Sequence, residues 1–210
     1  GQSVPCQIVR LRKDGVILHP MDRDPSWDDY LLADVLVQLP HQAAMSWTTL
    51  YCRPSIVPLS LQERSVVRFQ TLENEYLQVS IQPNGTLDVK NKRSGTAYRG
   101  LNLFTDEADI GDAYLFSPEL TAKVWNSVTS APSIRIQQGA LCASPILDWR
   151  YRRKPDEAEQ SLRLTLSLRK NDPLLRFHLE IENRAGDHQL RVHFPTGFSC
   201  DESFADSIFT

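Results

Sequence analysis

Apolar side chains return at every second position along much of this chain, and that period restricts its fold more than any other feature. Residues 162, 164, 166 and 168 are all leucine, and they alternate with Ser161, Arg163, Thr165 and Ser167. Successive side chains of an extended backbone point to opposite faces, so a period of two turns one set inward and leaves the other in water. After Asn171-Asp172-Pro173 the alternation resumes with Leu175, Phe177, Leu179 and Ile181, and Leu190, Val192 and Phe194 begin a further strand. A shorter pair lies earlier: Leu77, Val79 and Ile81, then Leu87 and Val89, with Pro83-Asn84-Gly85 between them. Asn-Gly supplies the positive φ of a tight turn, so residues 77–89 predict a hairpin with one buried face. No helical period is sustained over three turns, and one short turn at most is expected near residues 43–46. The chain reads as all-β. Several long strands, each apolar on one face, imply two packed sheets, a large β-sandwich.

The first 60 or so residues differ from the rest. Residues 30–39 read as a mainly apolar strand and residues 46–52 as another. The acidic segment 21–29, with Pro25 and Trp27, reads as a loop; Pro54, Pro58 and the polar residues 62–64 read as a connector. A small β domain is therefore expected over residues 1–62 and the sandwich over 63–210. Residues 152–160 are charged and include Pro155, so an exposed loop is expected there. The opening Gly-Gln-Ser-Val-Pro has no Met, and the chain reads as a piece of a longer protein.

Composition excludes several function classes. The 23 Lys and Arg against 26 Asp and Glu leave a net charge of −3, without the basic excess of a nucleic-acid binder. A hydrophobic share of 41% with 23% charged residues fits a soluble folded chain. No apolar run approaches the roughly 18 residues a membrane helix needs, and no basic-then-apolar leader opens the sequence. Cys6, Cys52, Cys142 and Cys200 show no CxxC or metal-finger spacing. Two disulfides are conceivable, but a chain with an adequate core favours buried thiols and a reducing, cytoplasmic setting.

The densest acidic group is Asp106, Glu107, Asp109 and Asp112, followed by Tyr114. Such carboxylates could bind a cation or sugar hydroxyls, or flank a scissile bond, but their spacing lacks the calcium-loop pattern and a solvated loop is the plainer expectation. His188 and His193 are five apart, which sends them to opposite faces of a strand, and His178 falls on a polar face. Solvated or hydrogen-bonded rings are expected for these and for His19 and His41. No GxSxG, GxGxxG or P-loop occurs. The run from Trp149 to Lys154 mixes aromatics with cations, and a strand end entering a charged loop accounts for it more simply than nucleic-acid binding does. Trp27, Trp47, Trp125 and Trp149 could stack on sugars, although aromatics of a sandwich usually serve its core.

Three ordered segments resemble one family. LENEYLQVSIQPNGTLDVKNKRSGTAYRGLNLF (72–104), GDAYLFSP (111–118) and DHQLRVHFPTGF (187–198), the last followed by Ala205-Asp206, are similar to the C-terminal β region of glycoside hydrolase family 38 α-mannosidases. The GQSVPCQ start resembles the small β domain preceding that region, and the bacterial cytosolic members, which include mannosylglycerate hydrolases, are the most alike. The resemblance implies a sandwich of the galactose-mutarotase type. It implies that the zinc ion and the nucleophilic Asp belong to an N-terminal catalytic barrel of the same polypeptide, so that no catalytic residue and no metal ligand is expected in this chain. It also implies that Tyr114, matching the Tyr of the GDxYxxSP signature, reaches into the active site and contacts a mannose-containing carbohydrate; Asp112 is expected with it as a substrate-binding residue, it and the carboxylates before it either bracing that loop or hydrogen-bonding the barrel. Two other readings stay open: a stand-alone carbohydrate-binding module using exposed Trp and the acidic loop, and a mutarotase-like epimerase recruiting His178 or His193.

Overall fold

The computed structural model describes residues 3–18, 24, 26–39, 42–52, 63–66, 70–112, 114–202 and 204. Among the described residues fourteen strands follow in order: β1 (Cys6–Leu18), β2 (Ser26–Val37), β3 (Glu63–Val66), β4 (Gln70–Glu73), β5 (Leu77–Ile81), β6 (Leu87–Asn91), β7 (Ala97–Leu101), β8 (Leu103–Ala108), β9 (Trp125–Asn126), β10 (Ser133–Gln138), β11 (Cys142–Tyr151), β12 (Gln160–Arg169), β13 (Leu175–Glu182) and β14 (His188–His193). The helical content of the described residues is one 3₁₀ turn at Ser127–Thr129, and no helix there is long and apolar enough to cross a membrane.

An antiparallel five-stranded sheet in the order β13-β12-β11-β10-β3 packs against a four-stranded sheet, β4-β5-β6-β7, and a three-stranded one, β14-β8-β9. The leucine alternation sets the interior. Leu162, Leu164, Leu166 and Leu168 all point inward, beside Ile136, Leu147 and Trp149 of neighbouring strands. Val79, Ile81 and Leu87 come from the four-stranded sheet and Phe104 from the three-stranded one, all in a single apolar cluster. Each such side chain contributes about 1.5–3 kcal/mol when removed from water. Phe104 meets Trp149 edge-on, with ring centroids 5.4 Å apart.

The two hairpins form where their turn residues placed them. At the β5–β6 turn Gly85 has φ +84°, and a Cβ there would lie 2.2 Å from Cζ2 of Trp149, so glycine is required by conformation and by space. The β12–β13 turn uses Asn171 at φ +56°, and its amide donates to Glu75 across 2.8 Å. Asn74 donates to the carbonyls of Arg169 and Asp172 at 2.7 and 2.8 Å, which pins that turn to the β4–β5 connection. The apolar side chains of β13 and its neighbourhood are only partly covered: Phe177 and Ile181 stay exposed, and Phe177 meets Phe194 edge-on at 5.4 Å.

β1 and β2 form a separate antiparallel ribbon, irregular between Ile8 and Arg10. Its base is held to the sandwich by Gln7. The Gln7 Oε1 accepts from the amides of Leu141 and Cys142, each at 2.8 Å, and its Nε2 donates to the Cys142 carbonyl at 2.9 Å. Gly139 makes room for it, since a Cβ there would stand 2.2 Å from the Gln7 amide carbon.

Several local expectations are corrected. Residues 46–52 form no strand; no described strand pairs with them, and Trp47 and Tyr51 are each 87% exposed. The short turn near residue 44 is present, closed by Ser46 donating to the Ala43 carbonyl at 2.6 Å. Residues 26–29, read as loop, open β2 because they find partners in Leu18 through Gly15 of β1. Glu63 and Arg64, read as connector, begin β3 on the edge of the large sheet, paired with Gln137 and Ile136. In the 152–160 segment, Gln160 is buried at the start of β12 and the Arg153 side chain is only 4% exposed. All four cysteines are free, but only Cys142 is buried; it lies on the inward face of β11, whereas Cys6, Cys52 and Cys200 lie outside the sandwich interior. His19 and His41, and most of the 53–64 connector, lie outside the described residues.

Candidate functional site

The period of two in β8 faces Phe104, Asp106 and Ala108 inward, so a carboxylate occupies a core position. Asp106 is 0% exposed, not part of a solvated acidic loop as expected. A buried carboxylate is tolerated only when paired and hydrogen-bonded. Its Oδ2 accepts from the Tyr151 hydroxyl at 2.6 Å, and its Oδ1 faces His188 Nδ1 at 2.8 Å and Arg153 Nε at 3.8 Å. Arg153 is in turn gripped by both oxygens of Glu157, at 2.9 and 3.2 Å. His188 Nε2 meets the Asn183 side-chain oxygen at 2.9 Å. Tyr151 stacks on Trp125 with centroids 3.6 Å apart. Burial, then the bond to Asp106, pushes the Tyr151 phenol far above its ordinary range.

This network is linked to the start of the GDAYLFSP segment through the Asp187 carbonyl, which accepts both from Arg153 and from the Asp109 amide. Past β8, Asp109 pairs with Pro118 and closes a loop between them. Asp109 Oδ1 accepts from the amides of Gly111 and Ser117, both at 2.9 Å, and the Ile110 amide donates to the Ser117 carbonyl at 2.8 Å. Asp112 Oδ1 accepts from the amides of Tyr114 at 2.8 Å and Leu115 at 2.9 Å, an Asx turn. Those two amides hold the Asp112 carboxyl below the usual aspartate range. Gly111 allows the tight return, because a Cβ there would stand 1.8 Å from the Leu115 carbonyl oxygen. Gly111, Asp112 and Ser117 therefore each serve the loop's own closure, whereas the Tyr114 side chain is 93% exposed. Ile110, Leu115 and Leu120, on and just after the same loop, are exposed as well. Phe116 is covered by the Arg191 guanidinium, 4.5 Å from the ring centroid, and Arg191 also pairs with Glu107.

The two expected site residues thus sit on one loop, Asp112 inside its turn and Tyr114 projecting from it. Asp106, Tyr151, Arg153 and His188 were not singled out together. Their only signals in sequence were an Asp at an inward position of an alternating strand and the Asp187-His188 pair of the third matching segment. His188 and His193 do point apart, His193 Nε2 meeting the Thr105 hydroxyl at 2.8 Å on the other face of β8. His178 is exposed. Among the described residues, no three His, Cys, Asp or Glu side chains come together in a way that would hold a metal ion. The strongest acidic and imidazole pair, Asp106 and His188, is already committed to its neighbours. A groove of about 550 Å³ runs along the five-stranded sheet among Asp148, Arg150, Arg163, Glu180 and Glu182. The one aromatic residue lining it, Trp149, is buried, so no stacking platform faces that groove.

Residues 72–209, which hold the loop, the buried network and most of the sandwich, match the model of the glycosyl hydrolases family 38 C-terminal domain. The chain belongs to glycosyl hydrolase family 38. Its family 38 sandwich superposes on an α-mannosidase from Enterococcus faecalis V583 with a TM-score of 0.66 at 20% identity, covering 94% of this chain and 26% of that one. A second solved family 38 protein from Enterococcus faecalis gives 0.67 at 21% identity, over 95% of this chain and 27% of the other. These two establish the shared fold. In sequence, the curated "Putative mannosylglycerate hydrolase" of Halalkalibacterium halodurans is 29% identical over 165 aligned residues, taking in 66% of this chain and 18% of that protein. The family 38 chain described here thus spans about a quarter of the solved relatives and less of the curated one.

Proposed function

We propose that this chain is the non-catalytic β portion of a retaining, zinc-dependent α-mannosidase, and that it completes an active site centred on a barrel elsewhere in the same polypeptide. The observation that carries the proposal is the posture of Tyr114: an almost fully exposed phenol on a loop whose backbone is fastened by Asp109 and Asp112. A phenol donates and accepts a hydrogen bond through one oxygen while its ring packs on the apolar face of a sugar. Ile110, Leu115 and Leu120, on and just after the same loop, are exposed too, and exposed apolar side chains there favour cover by another domain over permanent contact with water. Retaining glycosidases divide the chemistry between a nucleophilic carboxylate and a second carboxyl acting as acid and then base. Asp106, buried and fully paired, is assigned neither role. Zinc dependence is assigned to the barrel, as the resemblance to family 38 implies. The exposed free thiols of Cys6, Cys52 and Cys200 favour a reducing, cytoplasmic setting.

The test uses the polypeptide that carries both barrel and sandwich. Tyr114→Phe lowers kcat/KM on an aryl α-mannoside about tenfold, one lost hydrogen bond to the transition state, with the unfolding midpoint unchanged. An unaltered rate removes Tyr114 from the site. The 210-residue chain alone hydrolyses no aryl α-mannoside and no mannosylglycerate, with or without added zinc. Turnover by the purified chain would overturn its non-catalytic role.

A further inference from the structure

We propose that Arg153 is a positioning residue for Tyr114: it couples the buried Asp106 carboxylate to the root of the 109–118 loop and so sets where the phenol stands. The consequence for turnover rests on the function proposed above; the coupling itself does not. The connection can be followed atom by atom. The Arg153 Nη1 and Nη2 donate to the carbonyls of Asp187 and Gly186 at 3.4 and 3.2 Å, while Nε faces Asp106. Asp187 sits in the left-handed region at φ +49°, a turn conformation that Asp reaches more readily than most non-glycine residues. The same Asp187 carbonyl accepts the amide of Asp109 at 2.9 Å. Asp109 then holds the Gly111 and Ser117 amides that close the loop around Tyr114. From the other side His188 binds Asp106 and keeps β14 in register with Ala108, the last residue of β8.

Arg153 is suited to this because its five donors lie in one planar fork, so a single side chain meets the Glu157 carboxylate, two carbonyls and a buried anion together. A lysine ammonium keeps the charge without that geometry. Three partners of Arg153, namely Glu157, Gly186 and Asp187, lie in turns and the fourth is Asp106 within β8, while the leucines of β12 are not among them. Losing the fork should therefore loosen the loop more than the sandwich.

The experiment measures hydrogen exchange and kinetics on the full polypeptide. In Arg153→Lys, amides of residues 109–118 exchange about tenfold faster while those of β12 keep their rates. The variant's kcat/KM on an aryl α-mannoside falls about tenfold, and in a Tyr114→Ala background the same change adds less than twofold, since its effect passes through the phenol. Unchanged loop exchange overturns the proposal. So does faster exchange throughout the sandwich, which would mark Arg153 as a general stabiliser, and so do additive kinetic losses. If Arg153→Lys does not fold, Glu157→Gln, which weakens the grip on the guanidinium without removing it, is expected to speed loop exchange about threefold, and no change there overturns the coupling. A loosened loop with a Tyr114→Ala enzyme of normal rate would end the sugar-contact role of Tyr114 and still support Arg153 as the brace of the loop.

Discussion

The Tyr151 hydroxyl donates a 2.6 Å hydrogen bond to the fully buried carboxylate of Asp106. Tyr151 ends β11 of the five-stranded sheet and Asp106 lies in β8 of the three-stranded sheet, so one bond ties the two layers, two residues before β8 leads into the Tyr114 loop. Its short length fits a charge-assisted bond in a site removed from water.

Tyr151→Phe keeps the ring against Trp125 and deletes only the donor. The buried carboxylate then lacks one partner, and unfolding free energy falls by about 1–3 kcal/mol. Asp106→Ala strands Arg153 and His188 as well and costs about 3–5 kcal/mol. Urea unfolding monitored by Trp fluorescence checks both, and a Tyr151→Phe midpoint equal to the parent's would show that the bond contributes nothing net.

Gly85→Ala meets two obstacles, the positive φ and the Trp149 ring 2.2 Å from the new Cβ. A loss of about 2 kcal/mol or more is expected. At Gly95, also at positive φ (+76°), nothing lies within 4 Å of the new atom, so Gly95→Ala meets backbone strain alone, about 1 kcal/mol. Thermal melts of the two variants separate space from conformation, and equal losses would remove the Trp149 contact from the explanation.

Gln7→Ala removes three hydrogen bonds between the β1–β2 ribbon and the sandwich. A two-stranded ribbon is marginal by itself, so its release is expected before global unfolding. Limited proteolysis should cut within residues 3–37 several-fold faster in the variant, with the sandwich fragment left intact. Cleavage rates like those of the parent would mean that other contacts hold the ribbon.

Below the ordinary aspartate value of 3.8, the turn at Asp112 should open. Its carboxyl is depressed by the Tyr114 and Leu115 amides, so the contribution is complete above the unfolded value and is lost as pH falls through the lower folded one. A carbon NMR titration of the Asp112 carboxyl should show a midpoint under 3.8; one at or above it contradicts the turn. Asp112→Asn, whose amide oxygen still accepts, keeps the loop and abolishes this titration.

Much of the fold was legible because its signals are local. The leucines of β12 show their burial by period, and Gly85 and the Asn171-Asp172-Pro173 turn mark where chains reverse. Residues 46–52 misled because an apolar stretch forms a strand only if another strand lies beside it, and pairing is not a local property. Glu63 and Arg64 failed in the opposite sense: a polar stretch became β3 because the edge of β10 was free to receive it. Tyr114 and Asp112 were located by the resemblance of GDAYLFSP to its family, and the Asp112 turn is what its short side chain does best.

By itself the sequence determined the all-β class, the inward faces of β5 and β12, the two main reversals and the family, because side-chain period and φ preference act over a few residues and a signature is read as written. Only the tertiary structure decided that Asp106 belongs to the core rather than to an acidic loop. Its partners Tyr151 and His188 lie 45 and 82 positions away, and nothing local specifies a pairing that two sheets must assemble first. The same holds for Gln7, whose partners at Leu141 and Cys142 come near it only after the sandwich has folded.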